Sequence, residues 1–142
     1  MFLGRFAHNL DTKGRLAVPA RFRASLEEGL VLTRGLDRCV AAYPMTAWEE
    51  LASKVAALPM TDPAARQFRR MVFAEATNLT LDGQGRVVVP SELREYAGID
   101  REAVIIGVHT SFEIWAPSAW EAMQALVDDE SDAIVSQLAN VL

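Results

Sequence analysis

Polar and apolar residues alternate through Thr77-Asn78-Leu79-Thr80-Leu81, the period of two that predicts a half-buried strand. Arg5 to Leu10 makes a similar short extended segment. Arg15 to Val18 and Arg86 to Val89 read as strands that begin on an arginine. Both stop at a proline, Pro19 and Pro90, because proline lacks the donor a ladder needs. Helical turns are predicted at about 20–26 and 91–97, the second closing at Gly98. Strands follow at Leu30–Thr33 and Val104–Val108, then at Cys39–Tyr43 and Phe112–Trp115. The turns Gly35-Leu-Asp-Arg and His109-Thr-Ser separate them. A helix over 46–58 sets Trp48, Leu51, Val55 and Leu58 on one face, and Trp48 and Trp120 read as anchors of their helices on a sheet. Thr46-Ala-Trp-Glu49 and Ser118-Ala-Trp-Glu121 have the form of capping boxes. Asp62-Pro63 pairs an N-cap with a first-turn proline and opens a helix of about 63–74.

These elements occur twice because the sequence does. At an offset of 71, Leu10, Asp11, Gly14, Arg15, Val18, Pro19 and Arg23 recur as Leu81, Asp82, Gly85, Arg86, Val89, Pro90 and Arg94. Further on the offset is 72, and Gly35, Tyr43 and Trp48 meet Gly107, Trp115 and Trp120. Two copies without an extended array predict a pseudo-two-fold domain rather than a solenoid. The fold class expected is α+β, mainly β, from two internal repeats with flanking helices. The first repeat spans 1–60, a connecting helix 61–75, the second repeat 76–124 and an acidic tail 125–142, with both repeats forming one domain. In the tail, Ile134, Val135 and Leu138 sit at helical spacing, on a segment expected to dock on a neighbour or fray.

Composition changes the picture only when resolved along the chain. The net charge of −5 argues at first against a nucleic-acid partner. All 14 Lys and Arg nevertheless lie in residues 1–101, and residues 102–142 carry carboxylates alone. Residues 1–24 hold Arg5, Lys13, Arg15, Arg21 and Arg23 against Asp11. No apolar run approaches the ~18 residues of a membrane span, and the first residues do not resemble a secretory signal, so the expectation is cytoplasmic with no membrane partner. Cys39 is the single cysteine and reads as a buried hydrophobe. His8 and His109 stand apart without ligand spacing, so no metal site is expected. No nucleophile triad, catalytic carboxylate pair or phosphate loop is evident, which points away from an enzyme, a cofactor or a small-molecule substrate.

The chemistry that remains is the twice-repeated Asp-x-x-Gly-Arg. The carboxylate suits bonding to the backbone amides ahead of it, and the glycine suits a positive φ. An arginine forks bidentately onto guanine or phosphate, and two strand-borne arginines at fixed separation suit the groove of a duplex. The competing reading is an Asp11–Arg15 and an Asp82–Arg86 ion pair that only steadies the turn, a contribution of ~0–1 kcal/mol when exposed.

Leu-Asp-x-x-Gly-Arg-x-x-x-Pro twice per chain, with the opening Met1-Phe2-x-Gly4 and His8-x-Leu10, resembles the MraZ family, transcriptional regulators built from tandem SpoVT-AbrB repeats. Leu32-Thr-Arg-Gly35, Tyr43-Pro44, Arg69-Arg70, Leu93-Arg-Glu-Tyr-Ala-Gly98 and Phe112-Glu-Ile-Trp115 extend the similarity from residue 1 to about 123. The resemblance implies a double-split β-barrel of the swapped-hairpin kind and a nucleoid-associated protein that binds double-stranded DNA. It implies recognition of short direct repeats upstream of the division and cell-wall gene cluster, as a repressor. It also implies a ring-shaped homo-oligomer, an octamer or similar. By position, Arg15 and Arg86 are the direct DNA contacts, and Asp11, Gly14, Asp82 and Gly85 shape the turns. Lys13, Arg5 and His8 are further phosphate or groove contacts. Gln84 stands where the first repeat has Lys13, which assigns more of the attraction to the first half. The alternative is an AbrB-type antitoxin or transition-state regulator.

Overall fold

A computed structural model describes residues 1–142. The first repeat comprises β1 (Arg5–Asn9), β2 (Arg15–Ala17), α1 (Ala20–Arg23) with a 3-10 turn (Ala24–Leu26), β3 (Leu30–Arg34), β4 (Val40–Pro44) and α2 (Met45–Ala56). After α3 (Pro63–Ala74), the second comprises β5 (Thr77–Leu79), β6 (Arg86–Val88), α4 (Ser91–Ala97), β7 (Glu102–Gly107), β8 (Phe112–Trp115) and α5 (Pro117–Leu138).

Six strands form one antiparallel sheet in the order β1-β7-β8-β4-β3-β5, and β2 pairs with β6 in a separate ribbon. Exchanging the repeats maps the sheet order onto itself, β1 onto β5, β7 onto β3 and β8 onto β4. Each outer strand pairs across the repeat boundary: β1 on β7 and β5 on β3. The sheet is open at β1 and β5, so its hydrogen bonds do not close a barrel. The class is α+β, with strands supplying most of the core and helices holding more of the chain, since α5 alone is 22 residues.

One face of the sheet, with Leu30, Leu32, Val40, Ala42, Ile105, Phe112 and Ile114, packs against the inward side of the ribbon (Leu16, Val87) and against Phe22 of α1 and Leu93 of α4. Phe2 meets Phe22 edge-on at 5.0 Å between ring centroids and Phe112 at 5.3 Å, so the N-terminus is built into this core. The opposite face carries the long helices. Trp120 and Met123 of α5 cover Cys39, Val104, Ile106 and Trp115. Trp48 of α2 lies between Tyr43 of β4 and Phe73 of α3, at 6.0 and 5.9 Å. Burial pushes the free Cys39 thiol up to about 12, so it packs rather than reacts.

One expectation at the helix starts needs correction. The capping boxes do not form: α2 starts at Met45 behind Pro44, α5 starts at Pro117, and neither has a side-chain cap. Thr46 and Ser118 therefore lie inside the first turn, two residues past the N-cap positions Pro44 and Ala116, because the prolines' fixed φ sets the entry upstream. The Asp62 cap does form, its carboxylate accepting from the Ala64 amide at 2.9 Å. Helix α5 runs on from the second repeat into residues 125–138 without a break, since no proline or glycine occurs between Pro117 and Leu142.

Candidate nucleic-acid interface

The ribbon is short, and its register decides what it displays. Arg15 pairs with Val88, Leu16 with Val87 and Ala17 with Arg86. Residues opposite each other share a face, so Leu16 and Val87 point to the core while Arg15, Ala17, Arg86 and Val88 point outward. Leu16 and Val87 are buried and Val88 is exposed. Burying the inner pair fixes the register, and the register places both arginines on one surface.

Each arginine is held by its own turn. Asp11 Oδ1 accepts the backbone amides of Lys13 and Arg15, both at 2.9 Å, and Oδ2 accepts Arg15 Nε at 2.6 Å. Asp82 repeats this with the amides of Gln84 and Arg86 and with Arg86 Nε, all at 2.9 Å. Backbone bonds from Asp11 N to Arg15 O and from Gly14 N to Asp11 O close the loop, and the second repeat has the same pair. Gly14 and Gly85 have φ of 77° and 75°, a conformation L side chains rarely adopt. The amide donors, led by that of residue 15, hold the Asp11 carboxyl down at about 2, and the equivalent Arg86 amide lowers Asp82.

The competing ion pairs therefore exist, and they orient the guanidiniums. With Nε on a carboxylate, neither Arg15 nor Arg86 gives its Nη groups to a hydrogen bond within the protein. The two guanidiniums also approach one carboxylate oxygen. Arg86 Nη1 lies 3.8 Å from Asp11 Oδ2, the oxygen that holds Arg15. Two planar forks thus stand side by side on a two-stranded ribbon, each keeping about 30% of its side-chain surface open.

The structure adds a pair that was recognised as recurring in sequence but not as part of the site. Arg23 Nε donates to Val18 O at 2.9 Å and Arg94 Nε to Val89 O at 3.0 Å. These side chains cross between the repeats. A Cβ built at Gly85 overlaps the Arg23 guanidinium, and one at Gly14 lies 3.2 Å from Arg94 Cζ. Val18 N bonds Gly85 O and Val89 N bonds Gly14 O, both at 2.9 Å. Each turn is thus clamped by the other repeat. The recurrence of Arg at offset 71 was the available signal; the crossing was not readable from it.

The remaining expected residues divide. Lys13 and Gln84 are exposed on the two turns beside the arginines. Arg5 pairs with Ile106 and so shares the sheet face that carries the long helices, away from the ribbon. His8, paired with Ala103, alternates onto the other face, the one that packs against the ribbon, and also borders a groove with Glu102, Pro117 and Glu121. No hydrogen bond or ion pair links Arg5 or His8 to Arg15 or Arg86.

A family model described as "MraZ protein, putative antitoxin-like" matches residues 1–71 and again 72–139. The chain is 54% identical to the transcriptional regulator MraZ of Thermomicrobium roseum over the full length of both. It is 49% identical to that of Herpetosiphon aurantiacus, covering 98% of this chain and 97% of the relative. It is 45% identical to that of a Roseiflexus species, covering 99% of each.

Proposed function

The chain belongs to the MraZ family, and from that premise we propose that it is a DNA-binding transcriptional regulator, not an enzyme, that reads duplex DNA with the outer face of the β2–β6 ribbon. One observation carries the reading: Arg15 and Arg86 stand together, each oriented through Nε by an aspartate, with their Nη groups making no hydrogen bond within the chain. That is the geometry a bidentate contact to guanine O6 and N7, or to a phosphate, requires. Asp11 and Asp82 are positioning residues, and Gly14 and Gly85 let the turns close. Lys13 supplies a phosphate contact on the first turn. Arg5 lies on the opposite face of the sheet and is left out of it, and His8, half-buried on the ribbon-packed face, is not bonded to either arginine.

A site of two arginines is small, so several copies must act together for tight binding. We read the protein as a homo-oligomer, ring-shaped as in the family it resembles, whose copies engage successive short direct repeats in the promoter of the division and cell-wall genes and repress it. Its place is then the cytoplasm, on the nucleoid.

The test is promoter binding by single variants. Arg15→Ala and Arg86→Ala should each weaken binding by ~1–3 kcal/mol while circular dichroism stays unchanged. Wild-type affinity in both variants would assign the DNA to another surface.

A further inference from the structure

The outer face of the ribbon carries four side chains in two rows, Arg15 opposite Val88 and Ala17 opposite Arg86. Val88 is the exposed one, with 46% of its surface open, while the other three are half-buried. Each guanidinium therefore has an apolar neighbour directly across the ribbon, with Cβ atoms ~4.5–5.5 Å apart. For Arg15 that neighbour is a valine, and for Arg86 it is an alanine.

The two arginines themselves are matched. They occupy equivalent positions, and each gives its Nε to the aspartate of its own turn. A reader made of those two forks alone would accept a site in either direction along the duplex, because the pseudo-two-fold exchanges them. Lys13 against Gln84 does not remove that ambiguity, since a phosphate contact carries no base information. Ala17 and Val88 do differ on the reading face, at equivalent places in the two repeats. An exposed valine beside two cations gains by burial, and the apolar group a duplex offers in its major groove is the C5 methyl of thymine. Successive bases lie ~3.4 Å apart, so a side chain across the ribbon from an arginine reaches the base next to the one the arginine binds.

We propose that Val88 reads a thymine methyl beside the base held by Arg15. The smaller Ala17 makes no equal contact beside Arg86, so this pair sets the direction in which each copy lies on the DNA. The inference rests on the ribbon reading above and adds to it a base class and the residue that gives the site its direction.

Selection from a random duplex library by the full chain supplies the probe. Replacing its thymines one at a time by deoxyuridine then removes a methyl and nothing else. At one thymine the replacement should weaken wild-type binding about fourfold per site, the worth of one buried methyl. In Val88→Ala the same replacement should cost less than twofold. The ratio is taken within each variant, so any loss of folding cancels. Ala17→Val should gain a second sensitive thymine at the mirror position of its selected site. Equal binding of thymine and deoxyuridine probes by the wild type, or an unchanged ratio in Val88→Ala, overturns the methyl contact. A selected site left unchanged by Ala17→Val overturns the orienting role. The ribbon reading survives those results if Arg15→Ala and Arg86→Ala still lose binding. A wild type that selects no sequence, or arginine variants that bind as the wild type does, overturns both.

Discussion

Asp11 serves three donors with two oxygens, and two of those donors are backbone amides. That explains both why the residue is Asp and why its proton is hard to add. A carboxylate whose folded value is below its ordinary one stabilises the fold above the ordinary value, near 4, and loses that contribution as the pH falls through about 2. Asp82 acts in the same direction. The denaturation midpoint should therefore fall between pH 4 and pH 2, and Asp11→Asn should flatten part of that fall, as urea titrations at stepped pH will show. Identical pH profiles for the variant and wild type would place the acid sensitivity elsewhere. Each Asp-Arg turn was legible in sequence because every hydrogen bond its carboxylate accepts spans four residues or fewer. Arg23 and Arg94 were less legible, since each acts on a glycine of the other repeat, more than 60 residues away.

At the scale of elements, the ribbon is a pair of three-residue strands and would not persist alone. It is held by Leu16 and Val87 from below and by the crossed arginines at its ends. The clamps are unequal, which gives a prediction. Alanine at either turn glycine costs about 1–2 kcal/mol for the left-handed backbone. Gly85→Ala must also displace Arg23, whereas Gly14→Ala meets Arg94 at 3.2 Å. Gly85→Ala should thus be the more destabilising of the two in urea, and Arg23→Ala should narrow the difference. Equal losses in both backgrounds would mean that the arginines do not clamp. The strands and the repeat were readable from period-two patterning and proline stops; the pairing of β1 on β7 and β5 on β3 across the repeats was not. The starts of α2 and α5 were not, because Pro44 and Pro117 set the entry ahead of the hydroxyl residues that seemed to mark it, whereas the Asp62-Pro63 start of α3 was. The tail looked like a charged run, yet without a breaker the helix simply continues into it.

At the scale of the whole molecule, charge is sorted by position. The ribbon and α3 are basic, while residues 102–142 hold no Lys or Arg. An acidic total therefore coexists with a basic binding face, and it limits indiscriminate attraction to DNA. The two-fold that organises the fold is broken at two exposed turn positions, Thr12 against Gly83 and Lys13 against Gln84, and only the second changes the charge. Salt dependence measures this break directly, because each phosphate neutralised adds about 0.9 to the slope of log K against log salt. Lys13→Gln should lower the slope by about one for each subunit engaged on the DNA. Gln84→Lys should raise it by a similar amount if the second turn approaches the backbone as the first does. Preference among promoter sequences should be unchanged in both, since a phosphate contact carries no base information. An altered sequence preference in Lys13→Gln would instead put Lys13 on a base edge. A slope that rises in Gln84→Lys would show that both repeats lie on the duplex at once, as the paired arginines require.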